Sequence, residues 1–238
     1  MIMAIKKSKQ TPINENTERF LKFLQMSGTC TETQARHYLS ENEFETFRRN
    51  GMFKSSSVRI KREQLKKLGE VGALSKDEVD SELKAQIPQV EVFKISDKCR
   101  RFAKNHFNIR DMYTSNSKIH DVVLGAKVIE LQEKGLTEGY QQESVTREEL
   151  KTAMQDWKEN RQEEFKELLN EYEEKCPGFI EKFENENPYG STPDFCYRNE
   201  QGQMVAYEIT TINYDHYTKC LKEFSTTILG YEYTTYHV

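Results

Sequence analysis

Apolar positions recur at helical spacing along most of the chain and alternate only in short stretches. From Asn14 the pattern predicts a helix with Phe20, Leu21, Phe23, Leu24 and Met26 on its apolar face and Gly28 as its stop. Thr31-Glu32-Thr33-Gln34 reads as a capping box, opening a second helix that buries Ala35, Tyr38 and Leu39. Ser40 caps a third, Glu41 to Asn50, with Phe44 and Phe47 inward, Arg48 and Arg49 outward, and Gly51 closing it. Ser57 to Ile60 and Gln89 to Ile95 read as strands, and Ser96 caps a helix from Cys99 to Phe107. Lys61 to Ile87 lies between them, charged and helical in character. Three short helices followed by two strands that can pair have the order of a winged helix-turn-helix, predicted over residues 1–112, with a polar, basic terminus before residue 14.

After a polar linker at Tyr113–Ser117, Lys118 to Leu131 reads as an apolar helix ending at Gly135, with Val122, Val123, Ala126 and Ile129 inward. His120 near its start is read as a capping or packing residue. Residues 137–188 are dense in Glu and Lys and form a helical insertion. Within it Thr146 is the expected N-cap of a helix, or pair of helices, carrying Met154, Trp157, Phe165, Leu168, Leu169 and Tyr172 on one face. That stripe can pack within its own domain or join a homodimer. A single apolar stripe is usually core, so packing is the expectation. Cys176-Pro177-Gly178 breaks the helix, and Asn185 to Ser191 is a loop. The chain closes with a strand opened by Asp194, a polar turn at Arg198–Gln203, a strand Met204–Thr210, a helix after Asp215, and a last strand Tyr231–His237. The fold class expected is α+β or α/β, with a second domain over 113–238.

Composition narrows the function classes. The 238 residues carry a net charge of −4, so any nucleic-acid contact must come from a local patch. Such a patch exists: Arg48, Arg49, Lys54, Arg59, Lys61, Arg62, Lys66 and Lys67 stand close together against only Glu63. These residues are the predicted contacts to the phosphates of double-stranded DNA. The five cysteines are scattered, with no CxxC pair, which argues against both a disulfide framework and a zinc site and suggests reduced thiols in the cytoplasm. No apolar run is long enough for a membrane span or a signal peptide.

The candidate chemistry lies in the last strands. Asp194 opens one strand and Glu208 stands inside the next, among Val205, Tyr207 and Ile209. A carboxylate inside an apolar strand needs a partner or a metal, and two carboxylates on neighbouring strands make a minimal site for Mg²⁺. This order of Pro193-Asp194, turn, Glu208-x-Thr210 and a Lys-bearing helix resembles the PD-(D/E)xK nuclease superfamily over residues 191–238. The resemblance implies that Asp194 and Glu208 hold Mg²⁺. Thr210 stands where the family has a Lys that orients the attacking water, and some members place that basic residue on the following helix, so Lys219 or Lys222 would serve. The family's further helix-borne acid would be Glu130. The whole chain is also similar to the replication-relaxation proteins of plasmids and conjugative elements, through Val92–Lys98 running into a helix, His120 opening the next, and the late Pro-Asp … Glu-x-Thr. That similarity implies a winged helix before a nuclease-like domain.

Three functions follow as expectations. The first is a DNA-binding protein of a plasmid, phage or conjugative element, whose nuclease-like domain need not be active. The second is an active Mg²⁺-dependent endonuclease of restriction type. The third is an acidic module that binds a partner protein.

Overall fold

A computed structural model describes residues 10–110, 112, 117–185, 191–210 and 215–238. The start of the basic terminus, most of the expected linker at 113–117, the centre of the loop before Asp194 and Asn213-Tyr214 lie outside the described residues. The chain is mixed α+β and divides into two compact units, Met1–Glu133 and Lys134–Val238.

In the first unit α1 (Glu15–Ser27) begins where the Asn14 side chain accepts the Thr17 N–H, and it ends at Gly28 in the left-handed region. There follow β1 (Thr29–Cys30), α2 (Glu32–Arg36), α3 (Glu41–Arg49), β2 (Phe53–Arg59), α4 (Arg62–Glu70), α5 (Lys76–Leu83), β3 (Gln89–Ile95), α6 (Asp97–Phe107) and α7 (Lys118–Glu133). The capping boxes at Thr31/Gln34 and Ser40/Glu43 and the Ser96 cap all form. The second helix is shorter than expected, because the chain turns at His37. The strand expected at Ser57 begins earlier, at Phe53, which pairs with Ile95. The sheet order is β1-β3-β2, antiparallel throughout.

Phe20, Phe23, Phe44, Phe47 and Phe93 are fully buried between the helices and one sheet face, with Phe44 meeting Phe93 edge-on at 5.2 Å. Each such side chain contributes about 1.5–3 kcal/mol by leaving water. The unit extends past residue 112, where the sequence pattern put its end. Helix α7 packs on α1 and β1, and the sequence explains why. Gly125 leaves room for the Phe23 ring, since a Cβ there would lie 3.0 Å from it. Asp121, fully buried, accepts a hydrogen bond from the Thr29 hydroxyl at 3.1 Å, with His120 Nδ1 3.3 Å from its other oxygen. Gln34 donates to the Val122 carbonyl at 2.7 Å.

The second unit runs β4 (Gln141–Gln142), α8 (Glu143–Asn160), α9 (Gln162–Lys175), α10 (Phe179–Asn185), β5 (Phe195–Arg198), β6 (Met204–Thr210), α11 (His216–Leu229) and β7 (Glu232–His237). Its sheet order is β4-β5-β6-β7. The first three strands are antiparallel, and β7 returns parallel to β6 after α11. Thr146, expected as an N-cap, is instead buried one turn inside α8, its hydroxyl 3.6 Å from Cys196 Sγ. The helix therefore starts at Glu143, directly after β4. The Glu/Lys-rich region is a layer of helices packed on α11. Phe224 of α11 sits among Phe165, Tyr172, Phe179 and Phe183, with ring centroids 5.1–6.0 Å away. The stripe of Met154, Phe165, Leu168 and Tyr172 is spent on this core.

Candidate active site

Pro193 cannot donate to a sheet ladder and so stands just ahead of β5. The β5–β6 register pairs Phe195 with Tyr207, and one step further along it sets Asp194 opposite Glu208. Two carboxylates directly across a ladder repel each other. Here one of them, Glu208, is wholly buried.

The backbone takes up one oxygen of each. Asp194 N–H donates to Glu208 Oε2 at 3.1 Å, and Ile209 N–H donates to Asp194 Oδ2 at 2.9 Å. The remaining oxygens converge on a single cation. Lys222, from α11, places Nζ 2.5 Å from Glu208 Oε1 and 3.4 Å from Asp194 Oδ1. The side chains of Lys222 and Asp194 are only 11% and 13% exposed, and that of Glu208 not at all. Burial works against the charge on Lys222, but the carboxylates of Asp194 and Glu208 outweigh it and hold the ammonium above the ordinary lysine value. A fourth group borders the cluster. The Tyr233 hydroxyl on β7 is buried without a hydrogen-bond partner among the described residues. Its proton is held well above the usual phenol range, by burial first and then by the charge of Glu208.

Of the two lysines expected on this helix, Lys222 is therefore in the site. Lys219, three positions earlier, is half exposed and 3.9 Å from Glu223. Glu130 lies on α7 in the first unit, with its carboxylate 3.0 Å from Lys127 Nζ. The second unit begins at Lys134, so the helix on which Glu130 was expected to serve is not part of it. Sequence reasoning missed Tyr233, and the only signal was an aromatic on the last alternating strand.

The donor set fits a hard divalent cation. It consists of oxygens, one from each carboxylate is already fixed by the backbone, and the two others point at one place.

The basic residues of the first unit are less uniform than their sequence suggests. Arg48 is held by Glu45 at 3.1 Å and lies over the rings of Phe44 and Phe93. Arg49 is largely exposed, and Lys54 is exposed at 3.8 Å from Asp97. Arg59, Lys61, Arg62 and Lys66 are exposed along the end of β2 and the start of α4, while Lys67 is half-buried. The ladder sets Lys94 opposite Lys54. Helix α3 itself carries three glutamates against two arginines.

Among the described residues no helix is long and apolar enough to cross a membrane. Comparison with models of protein families, with curated proteins and with solved structures finds no match to this chain.

Proposed function

We propose that this chain is a DNA-binding protein whose second unit is a Mg²⁺-dependent nuclease of the PD-(D/E)xK type. The observation that carries the reading is Lys222: its ammonium stands between Asp194 and Glu208, supplying from α11 the cationic group that Thr210 does not supply from β6. A strand preceded by Asp194, a turn, a strand bearing Glu208 and a following Lys-bearing helix are the order this reading expects.

The chain's own residues divide the work. Asp194 Oδ1 and Glu208 Oε1 offer the two oxygens for Mg²⁺, and the Ile209 and Asp194 N–H groups keep those side chains from turning away. When bound, the ion would stabilise the charge building on the scissile phosphate and ease deprotonation of the attacking water. Lys222, with its proton firmly held, donates hydrogen bonds: it orients the water and offsets charge on the phosphate.

For the first unit the order α1-β1-α2-α3-β2-β3 and the sheet order β1-β3-β2 support a winged helix, with α4 and α5 in place of a simple wing loop. The phosphate contacts then fall to the exposed Arg49, Lys54, Arg59, Lys61, Arg62 and Lys66, and not to Arg48, which Glu45 and the rings of Phe44 and Phe93 hold, or to the half-buried Lys67. The similarity to replication-relaxation proteins supports a setting in plasmid or conjugative-element biology. One observation favours a second reading, in which the protein binds DNA without cutting it: Glu208 is fully buried, as a purely structural ion cluster would have it.

The test is supercoiled plasmid incubated with the full chain in Mg²⁺ or in EDTA, with gel shift on the same DNA. Nicking or linearisation by the wild type in Mg²⁺ only, absent in Asp194→Ala, is expected. DNA that is shifted but uncut in Mg²⁺ overturns the nuclease reading in favour of the second one.

A further inference from the structure

A second cluster in the C-terminal unit has a different chemistry. Cys176 ends α9, and His216 and Cys220 stand one turn apart on α11, four positions from each other and on one face of the helix. One potential ligand atom from each of the three lies within 4.8 Å of the others. Cys220 Sγ is 3.8 Å from His216 Nε2. A tetrahedral zinc with Zn–S near 2.3 Å and Zn–N near 2.0 Å separates its ligand atoms by about 3.5–3.8 Å, so this spacing needs little change. Both thiols are buried and the imidazole is exposed, which puts the converging point at the surface edge of the core.

The local backbone is built to hold that arrangement. Cys176 N–H donates to the Tyr172 carbonyl at 2.8 Å, closing the last turn of α9. Gly178, at φ 84°, reverses the chain in a conformation that favours glycine. The Glu173 carboxylate then accepts the N–H groups of Gly178 and Ile180 at 2.7 and 2.8 Å, pinning the corner. His216 Nε2 lies 2.9 Å from the Lys175 carbonyl and would exchange that contact for a metal.

We propose that Cys176, His216 and Cys220 form a zinc site, independent of the Asp194/Glu208/Lys222 cluster. Two thiolates and one imidazole are borderline-soft ligands that suit Zn²⁺ and not Mg²⁺. Three protein ligands leave the fourth position to water. The site joins the corner after α9 to the first turns of α11, the helix that carries Lys222, so its zinc fixes where that helix starts. The sequence hid it because Cys176 lies far from the other two ligands and no CxxC pair announces it.

The full chain, purified with reductant and stripped of metal, is titrated with Co²⁺ and then with Zn²⁺. One Co²⁺ per chain, with thiolate-to-cobalt charge-transfer absorption displaced by one equivalent of Zn²⁺, is expected. His216→Gln, an exposed change that leaves the fold intact by circular dichroism, weakens Zn²⁺ binding by at least the roughly 10–100-fold that loss of even an outer-shell partner causes. Cys220→Ser removes much of the charge-transfer band, whereas the control Cys99→Ser changes neither readout. Absence of thiolate charge transfer in the wild type, or Zn²⁺ affinity unchanged in His216→Gln, overturns the proposal.

Discussion

Lys222 Nζ lies 2.5 Å from Glu208 Oε1, one residue on α11 and the other on β6. This pair makes the buried acid tolerable. A wholly buried carboxylate beside a second one costs several kcal/mol unless a cation and hydrogen bonds compensate, and here both do.

Lys222→Met therefore destabilises the protein by about 3–5 kcal/mol near neutral pH, as removal of one partner of a buried ion pair does. Urea unfolding of the two proteins measures it. A loss below about 1 kcal/mol, the range of surface pairs, shows that the contact is not the one described.

Mg²⁺ distinguishes a metal site from a purely structural ion cluster. Lys222→Met takes away the ammonium that two carboxylate oxygens meet, and a divalent cation can replace its charge. Millimolar MgCl₂ raises the melting temperature of Lys222→Met more than that of the wild type, and Asp194→Asn in the same background abolishes the difference. Equal shifts in all three proteins count against a shared metal position.

The same pair sets a pH dependence. Lys222 in the folded chain holds its proton above the ordinary lysine value, so its stabilisation is complete below about pH 10, where an unfolded lysine is also protonated. It is lost as pH rises through the folded value. The stability difference between wild type and Lys222→Met stays level from pH 7 to about pH 9 and shrinks at higher pH. A difference that grows with alkalinity would reverse the sign of the argument.

The basic edge of the first unit makes a salt-dependent prediction. Replacing Lys54, Arg59 and Lys66 together by Gln removes up to three phosphate contacts and flattens the slope of log K against log salt by about 2–3. Arg48→Gln leaves the slope nearly unchanged, because that guanidinium is already committed to Glu45 and to the rings of Phe44 and Phe93. Fluorescence anisotropy on duplex DNA between 50 and 200 mM salt reads both, a range over which phosphate contacts lose affinity steeply.

Much of this architecture was legible in the sequence because it is written locally. Caps at Thr31, Ser40 and Ser96, stops at Gly28 and Gly51, and the alternation of Gln89–Ile95 rest on neighbouring residues. Asp194 and Glu208 were visible as acids flanking a turn, since a short hairpin fixes their register. What was not legible depends on long-range packing. The two-residue strands β1 and β4 carry no periodicity of their own and exist only through their partners. The assignment of α7 to the first unit turns on buried contacts from Asp121, Gly125 and Val122 to residues near 23–34, which no spacing rule reveals. Thr146 had the composition of a cap, but β4 starts the helix three residues before it. The choice between Lys219 and Lys222 was likewise open, because only the rotation of α11 over β6 decides it.

That choice supplies the most direct measurement. Initial rates of plasmid cleavage in Mg²⁺ are compared for wild type, Lys219→Met and Lys222→Met, at a temperature where circular dichroism shows all three folded. Lys219→Met cuts at close to the wild-type rate, and Lys222→Met loses at least about a hundredfold, the scale of one preorganised hydrogen-bond donor. Cleavage by Lys222→Met at the wild-type rate would contradict the account.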